Sequence, residues 1–310
     1  MKKYNIYTIL LSFAIVLTMV QCSNEDEPEP SNLDINWYEL QDSSDPLDHL
    51  RFSIYQTTGV PIYYNDTIGS RERGEDAFGN NIIYYEVIDC SYSITSNTTV
   101  TWITLPKVRD DIHEAVEMIR DDVLPNIPAS MRPRSYLLVD SLIRRGDSNS
   151  YKYQDYTYKA LMTTVVGELY EWSSIDKKNL AARIIAEEVA SFIVTKSDLD
   201  LTNFYTVSMV NDKSLYNQEV RTGSADYPYK SWMEYGFLTY YKGASYSADK
   251  NYKCVSQATD VFNYLTECYY SKLTNRSPND FDTQYAGYPL IIEKYHLMDS
   301  ALEELLLSLE

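Results

Sequence analysis

Ile184-Ile185-Ala186-Glu187-Glu188-Val189-Ala190-Ser191-Phe192-Ile193 decides how this chain reads. It lies within an amphipathic helical pattern from Asp176 to Thr195. Leu180, Ile184, Glu187 and Ser191 recur at the three-and-four spacing of one helix stripe. Leu180 and Ile184 belong on a core face, so a carboxylate and a hydroxyl extend an apolar stripe. A buried carboxylate needs partners or a wet cleft, because removing it unpaired from water costs several kcal/mol. The alternative is that the helix leaves the core at this point and its polar groups meet solvent.

Upstream of this helix the sequence is strand-rich. Asp45-Pro46 starts a helix with a capping side chain and a Pro at the first turn; it extends to about Gln56, before Gly59. Val60–Tyr64, Ile82–Val87 and Thr98–Leu105 are rich in β-branched and aromatic residues and read as strands. Val108, Ile112, Val116, Ile119 and Val123 predict a second helix ending before Pro125. Ser135–Ile143 and Tyr158–Tyr170 predict two further strands. Downstream the pattern predicts helices over Tyr227–Tyr241, over Ala248–Lys272, and from Pro289 to the end. Early strands and late helices define an α+β fold: a small mixed sheet, the 176–195 helix, then a helical C-terminal half, all in one domain over 35–310.

The N-terminus reads as an address. Lys2 and Lys3 precede an apolar run from Ile6 to Val20, the length of a signal h-region. Met19-Val20-Gln21-Cys22 follows a lipobox pattern, although Gln21 stands where a small residue is usual. Residues 1–21 are therefore expected to be a lipoprotein signal peptide, and Cys22 the lipidation site. Ser23-Asn24-Glu25-Asp26-Glu27-Pro28-Glu29-Pro30 makes 22–34 an acidic tether. An acidic run behind a lipidated Cys resembles the export tag of surface-exposed Bacteroidetes lipoproteins, which implies an outer-membrane lipoprotein facing the cell exterior.

Composition excludes several functions. With 27 basic and 45 acidic side chains the 310-residue chain carries a net charge of −18, which argues against nucleic acid as a partner. Only 10 Gly are present, and there is no GxGxxG or GxxxxGK[ST] phosphate loop. Cys90, Cys254 and Cys268, an odd number beyond Cys22, read as buried thiols; Cys254 and Cys268 fall in one predicted helix, too far apart to bridge. Thirty Tyr, clustered for instance at Tyr227–Tyr241, suit either half-buried structure or contact with a peptide or glycan.

The order of elements then carries a resemblance. A helix, strands between Lys107 and Val139, a strand ending near Glu168 and the 176–195 helix are followed by Tyr227-Pro228-Tyr229-Lys230-Ser231-Trp232 and Gly236-Phe237-Leu238. From about residue 45 onward the chain resembles the zinc-binding metallopeptidase lipoproteins of Bacteroidetes, of the substrate-import-associated zinc metallohydrolase type. The resemblance implies a zincin-like domain associated with a SusC/SusD-type TonB-dependent importer. It also implies HExxH on the central helix, two imidazoles four residues apart gripping zinc beside a general-base Glu. Here Glu187 stands at the first His, Glu188 at the Glu and Ser191 at the second His, so only Glu188 keeps its type. His49, His113 and His296 fall in three different predicted helices, and His113-Glu114-Ala115-Val116-Glu117 has Glu where a second His is needed.

The expectation is therefore a non-catalytic relative with no metal and no cofactor. Glu187, Glu188 and Ser191 would line the old cleft, with Trp232 and Tyr235 nearby by chain order. Its partners would be the lipid anchor at Cys22, the importer, and a peptide or glycan. The rival is an active metal-dependent hydrolase in which Glu188 is still the base and an unusual ligand set holds the metal. A third reading is a purely structural lipoprotein that scaffolds a surface complex.

Overall fold

The computed structural model describes residues 35–90, 101–145, 152–221, 231–242 and 251–309. The predicted signal peptide, Cys22 and the acidic tether lie outside them, as do Tyr227–Lys230. Tyr38–Glu310 makes one compact unit.

Helix α1 (Pro46–Thr58) begins where the sequence places it: the Asp45 carboxylate accepts from the Leu47 and Asp48 N–H groups, and Gly59 closes the helix at φ 74°. Strand β1 (Ile62–Tyr63) follows, then a hairpin of β2 (Thr67–Glu75) and β3 (Asn81–Val87), and β4 (Thr101–Thr104). Helix α2 (Arg109–Met118) continues through a π turn to Val123 and stops at Pro125. The predicted strand over 135–143 divides at Val139-Asp140 into β5 (Tyr136–Leu138) and β6 (Ser141–Arg145), which join different sheets. After β7 (Lys152–Gln154), the predicted strand over 158–170 is instead a hairpin of β8 (Thr157–Lys159) and β9 (Thr164–Val166), closed by the Ala160 N–H on the Thr163 carbonyl.

The central sheet has the order β1-β5-β9-β8. Its first three strands are parallel, and β8 runs antiparallel on the edge. Alternation along the strands builds a core on each face. Ile62, Tyr136, Leu138 and Val166 face the helices, whereas Tyr63, Leu137, Val139 and Val165 meet Ile88, Cys90 and Leu142 on the other side.

Helix α3 (Lys177–Lys196) is capped by Asp176, whose side chain accepts from the Asn179 N–H. Helix α4 (Thr202–Thr206) and the hairpin β10 (Met209–Val210) and β11 (Lys213–Ser214) follow. Asn211 and Asp212 form that hairpin's turn, both at positive φ, as a two-residue type I′ turn requires. β12 (Glu219–Arg221), β13 (Tyr240–Lys242) and β14 (Asn251–Cys254) form a small antiparallel sheet with its own core. The helical half comprises α5 (Gln257–Leu273), α6 (Pro278–Gln284) and α7 (Pro289–Leu307).

Two predicted helices are corrected here. The one over 227–241 is, among its described residues, a single 3-10 turn, Trp232–Tyr235, and then β13. Gly236 at φ 77° ends that turn, and a Cβ there would lie 3.0 Å from Lys294 Cδ. The one over 248–272 starts only at Gln257, behind the Ser256 cap, because Tyr252 and Cys254 alternate inward as a strand. Cys254 and Cys268 thus sit on different elements; both are buried free thiols, as is Cys90. Burial pushes the Cys254 thiol up to about 12.

Lys294 on α7 joins the two helix-side cores and is fully buried. Its ammonium pairs with the Asp260 carboxylate on α5 and also donates to Ser208 Oγ at 3.0 Å and Tyr216 Oη at 3.2 Å. The rings of Phe204, Phe237, Tyr264 and Tyr216 stand 4.4–5.4 Å from it. Burial pushes the Asp260 carboxyl up and the Lys294 ammonium down, and their attraction opposes both shifts. Lys294→Met strands a buried carboxylate and is expected to cost about 3–5 kcal/mol in urea denaturation. Asp260→Leu combined with Lys294→Met should recover most of that loss; equal destabilisation by single and double variants would contradict the pairing.

Candidate functional site

Helix α3 is hydrophobic almost all round, because α5 covers one side and the sheet the other. Leu180, Ala181, Ala182, Ile184, Ile185, Ala186, Val189, Ala190 and Ile193 are all buried. This changes the reading of its acidic pair. The stripe argument places Glu187 against the core, yet Glu187 is only half-buried, and its charge bears on Arg183. Glu188 is the acid that goes inside, with 0% exposure. A one-sided stripe is the wrong template for a helix packed on both sides.

Two residues of the β8–β9 hairpin receive the Glu188 carboxylate. Lys159 Nζ lies 2.5 Å from Oε2, and Thr164 Oγ1 donates to Oε1. Lys159 is the last residue of the edge strand and keeps a third of its side chain exposed, while Thr164 is fully buried beside it. Burial raises the Glu188 carboxyl above its ordinary value of 4.5; the Lys159 charge and the Lys159 and Thr164 hydrogen bonds oppose this. Tyr136, fully buried on β5, is near enough for the Glu188 and Arg132 charges to act on its phenol.

Beside this clamp opens a pocket of about 70 Å³, between the 129–131 turn, the end of β8 and the last turns of α3. Ser130, Arg132, Lys159, Glu188, Ser191 and Thr195 supply its polar lining. Glu188 and Ser191 both line this pocket, whereas Glu187 is not among its lining residues. Trp232 and Tyr235 are not part of this lining. Trp232 stacks on Tyr240 at 4.0 Å, Tyr235 is buried, and both belong to the core of the small β12–β14 sheet. Chain order misplaced them because the 3-10 turn packs under α7 and not beside α3.

Lys159, Thr164 and Arg132 escape a motif search. Their contacts with Glu188 and its pocket come from a hairpin and a turn 24 to 56 residues away in sequence, and no local spacing encodes them.

The donor set does not fit zinc. No imidazole stands at residue 187 or 191, both Glu188 oxygens are engaged, and an ammonium occupies the position where a dication would need an open coordination site. Each His has its own acidic neighbour elsewhere: Asp42 for His49 at 2.7 Å, Glu117 for His113 at 3.8 Å and Asp282 for His296 at 2.9 Å. Among the described residues no group of three or more His, Cys, Asp and Glu side chains is placed to hold a metal ion, and no helix is long and apolar enough to cross a membrane. No known protein family, curated protein or solved structure matches the chain.

A raised folded-state pKa has a definite sign. The folded chain holds the Glu188 proton to higher pH than the unfolded chain does. That contribution to stability is complete below the unfolded value and fades as pH rises through the folded one. Comparing wild type with Glu188→Gln by urea denaturation from about pH 4 to about pH 8 isolates this group. Acidification is expected to favour wild type; the opposite slope would show that the Lys159 pair outweighs burial. Glu188→Ala, which also opens a cavity, is expected to cost about 2–4 kcal/mol. That is below the cost of stranding Asp260, because Lys159 can turn to solvent.

Proposed function

We propose that the chain is a non-catalytic surface lipoprotein of zincin-like architecture, anchored in the outer membrane through Cys22 and acting as an accessory to a SusC/SusD-type TonB-dependent importer. Its role is to hold a peptide or glycan, or the importer itself. The observation that carries the loss of catalysis is the closure of Glu188. A general base must be free to reach a water or substrate proton, and here one carboxylate oxygen faces an ammonium and the other accepts a hydroxyl proton.

The zincin-like part of the proposal draws support from the arrangement of elements. Three parallel strands, an antiparallel edge strand and a following helix packed against that edge are compatible with such an architecture. The acidic balance of the chain and its Tyr content suit a protein that meets partners at a cell surface.

Two measurements test the proposal. Elemental analysis of the purified mature chain is expected to give no stoichiometric zinc, and Glu188→Gln should leave any background peptide hydrolysis unchanged. Stoichiometric zinc together with hydrolysis lost in Glu188→Gln would establish the active-hydrolase reading instead. Affinity isolation from detergent-solubilised outer membranes is expected to recover the importer with the wild-type chain. Recovery of no importer, with no peptide or oligosaccharide bound, would overturn the accessory role.

A further inference from the structure

The pocket beside Glu188 has an unbalanced set of polar groups. Arg132 and Lys159 bring two positive charges to it, and Glu188 brings one negative charge that Lys159 and Thr164 already engage. Among the described residues no ion pair engages Arg132; one of its terminal nitrogens reaches only the Leu124 carbonyl, at 3.4 Å, and its Nε is buried with no hydrogen-bond partner. The Arg132 guanidinium at the pocket thus has no counter-charge among the described residues. The excess is of donors and of positive charge, within a chain whose net charge is −18. Long-range repulsion from the rest of the molecule would work against an anion here, so the local cations have a specific use.

From this juxtaposition we propose that the Arg132–Lys159–Ser191 pocket binds a single carboxylate group. A pocket of about 70 Å³ with this lining has room for one planar carboxylate. Arg132 lines the pocket, and a guanidinium pairs with both oxygens of one carboxylate. Lys159 has donors beyond the one it spends on Glu188, and its partial exposure lets them point outward. The hydroxyls of Ser130 and Ser191 complete the lining. Glu188 in this arrangement positions Lys159 and does not itself meet the ligand. The proposal rests on the accessory reading above and narrows its ligand to an acidic group, carried by a peptide C-terminus or by an acidic sugar.

The test uses the full mature chain and acetate as the probe, at constant ionic strength against chloride. Weak millimolar binding is expected for so small a ligand, read from chemical shifts of the residues lining the pocket. Arg132→Gln should weaken it about tenfold or more, the cost of losing charge-assisted hydrogen bonds. Ser191→Leu, which fills the pocket from α3, should abolish it, and unchanged spectra elsewhere will show that both variants fold. Two further arms identify the source. Trialanine with a free C-terminus binding more tightly than its amide points to peptides, and galacturonate binding more tightly than galactose points to acidic sugars. No shift with acetate at about 50 mM, where a millimolar site saturates, overturns the proposal, as does binding that survives both variants. Copurification with the importer without acetate binding removes only this proposal; acetate binding without copurification keeps the pocket and removes the importer role.

Discussion

The Glu188 carboxylate, held between Lys159 and Thr164, fixes the candidate site. It ties the middle of α3 to the edge hairpin of the sheet, and its side chain is fully buried. Burying a charge is tolerated when it is paired and its remaining lone pairs are occupied. Both conditions hold here, with the ammonium on one oxygen and the hydroxyl on the other. The same arrangement decides the chemistry, because a carboxylate spent on holding α3 in place is withdrawn from proton transfer.

A second buried pair, Lys294 with Asp260, does comparable work at the other end of the helical layer. There both partners are fully buried, and the cation is surrounded by aromatic rings and three oxygen acceptors. The two pairs differ in what lies beyond them. Lys294 has no outlet, so its site is closed and structural. Lys159 is partly exposed and opens onto a pocket with further donors, so its site can both support the fold and present charge. This asymmetry separates the candidate binding site from the core around it.

Much of the fold was legible where local chemistry is explicit. Asp45-Pro46 and Gly59 mark α1 almost to the residue, and the α+β class holds, although five short strands, β10–β14, fall among the later helices. What the sequence concealed were changes of direction within apolar runs. The Val139-Asp140 break and the Ala160–Thr163 turn carry no Gly or Pro, so each pair of strands read as one. The sequence pattern starts α5 too early because an aromatic strand and an aromatic helix look alike over a few residues, and only the Ser256 cap separates them.

The site was half legible. A doubled acid on an apolar helix is a visible anomaly, but periodicity puts Glu187, not Glu188, on the apolar stripe. The reverse holds because packing on both sides of α3 removes the single stripe on which that reading depends. Lys159 and Thr164 are strand residues whose meaning arises only when the hairpin folds onto α3. Closure of the site requires that Glu188 and Lys159 act as one energetic unit. A double-mutant cycle with Glu188→Gln and Lys159→Met, run with and without zinc, measures that directly. A favourable coupling of about 1–3 kcal/mol that zinc leaves unchanged is the expected result. Coupling near zero, with zinc stabilising the wild-type chain through Glu188, would contradict it.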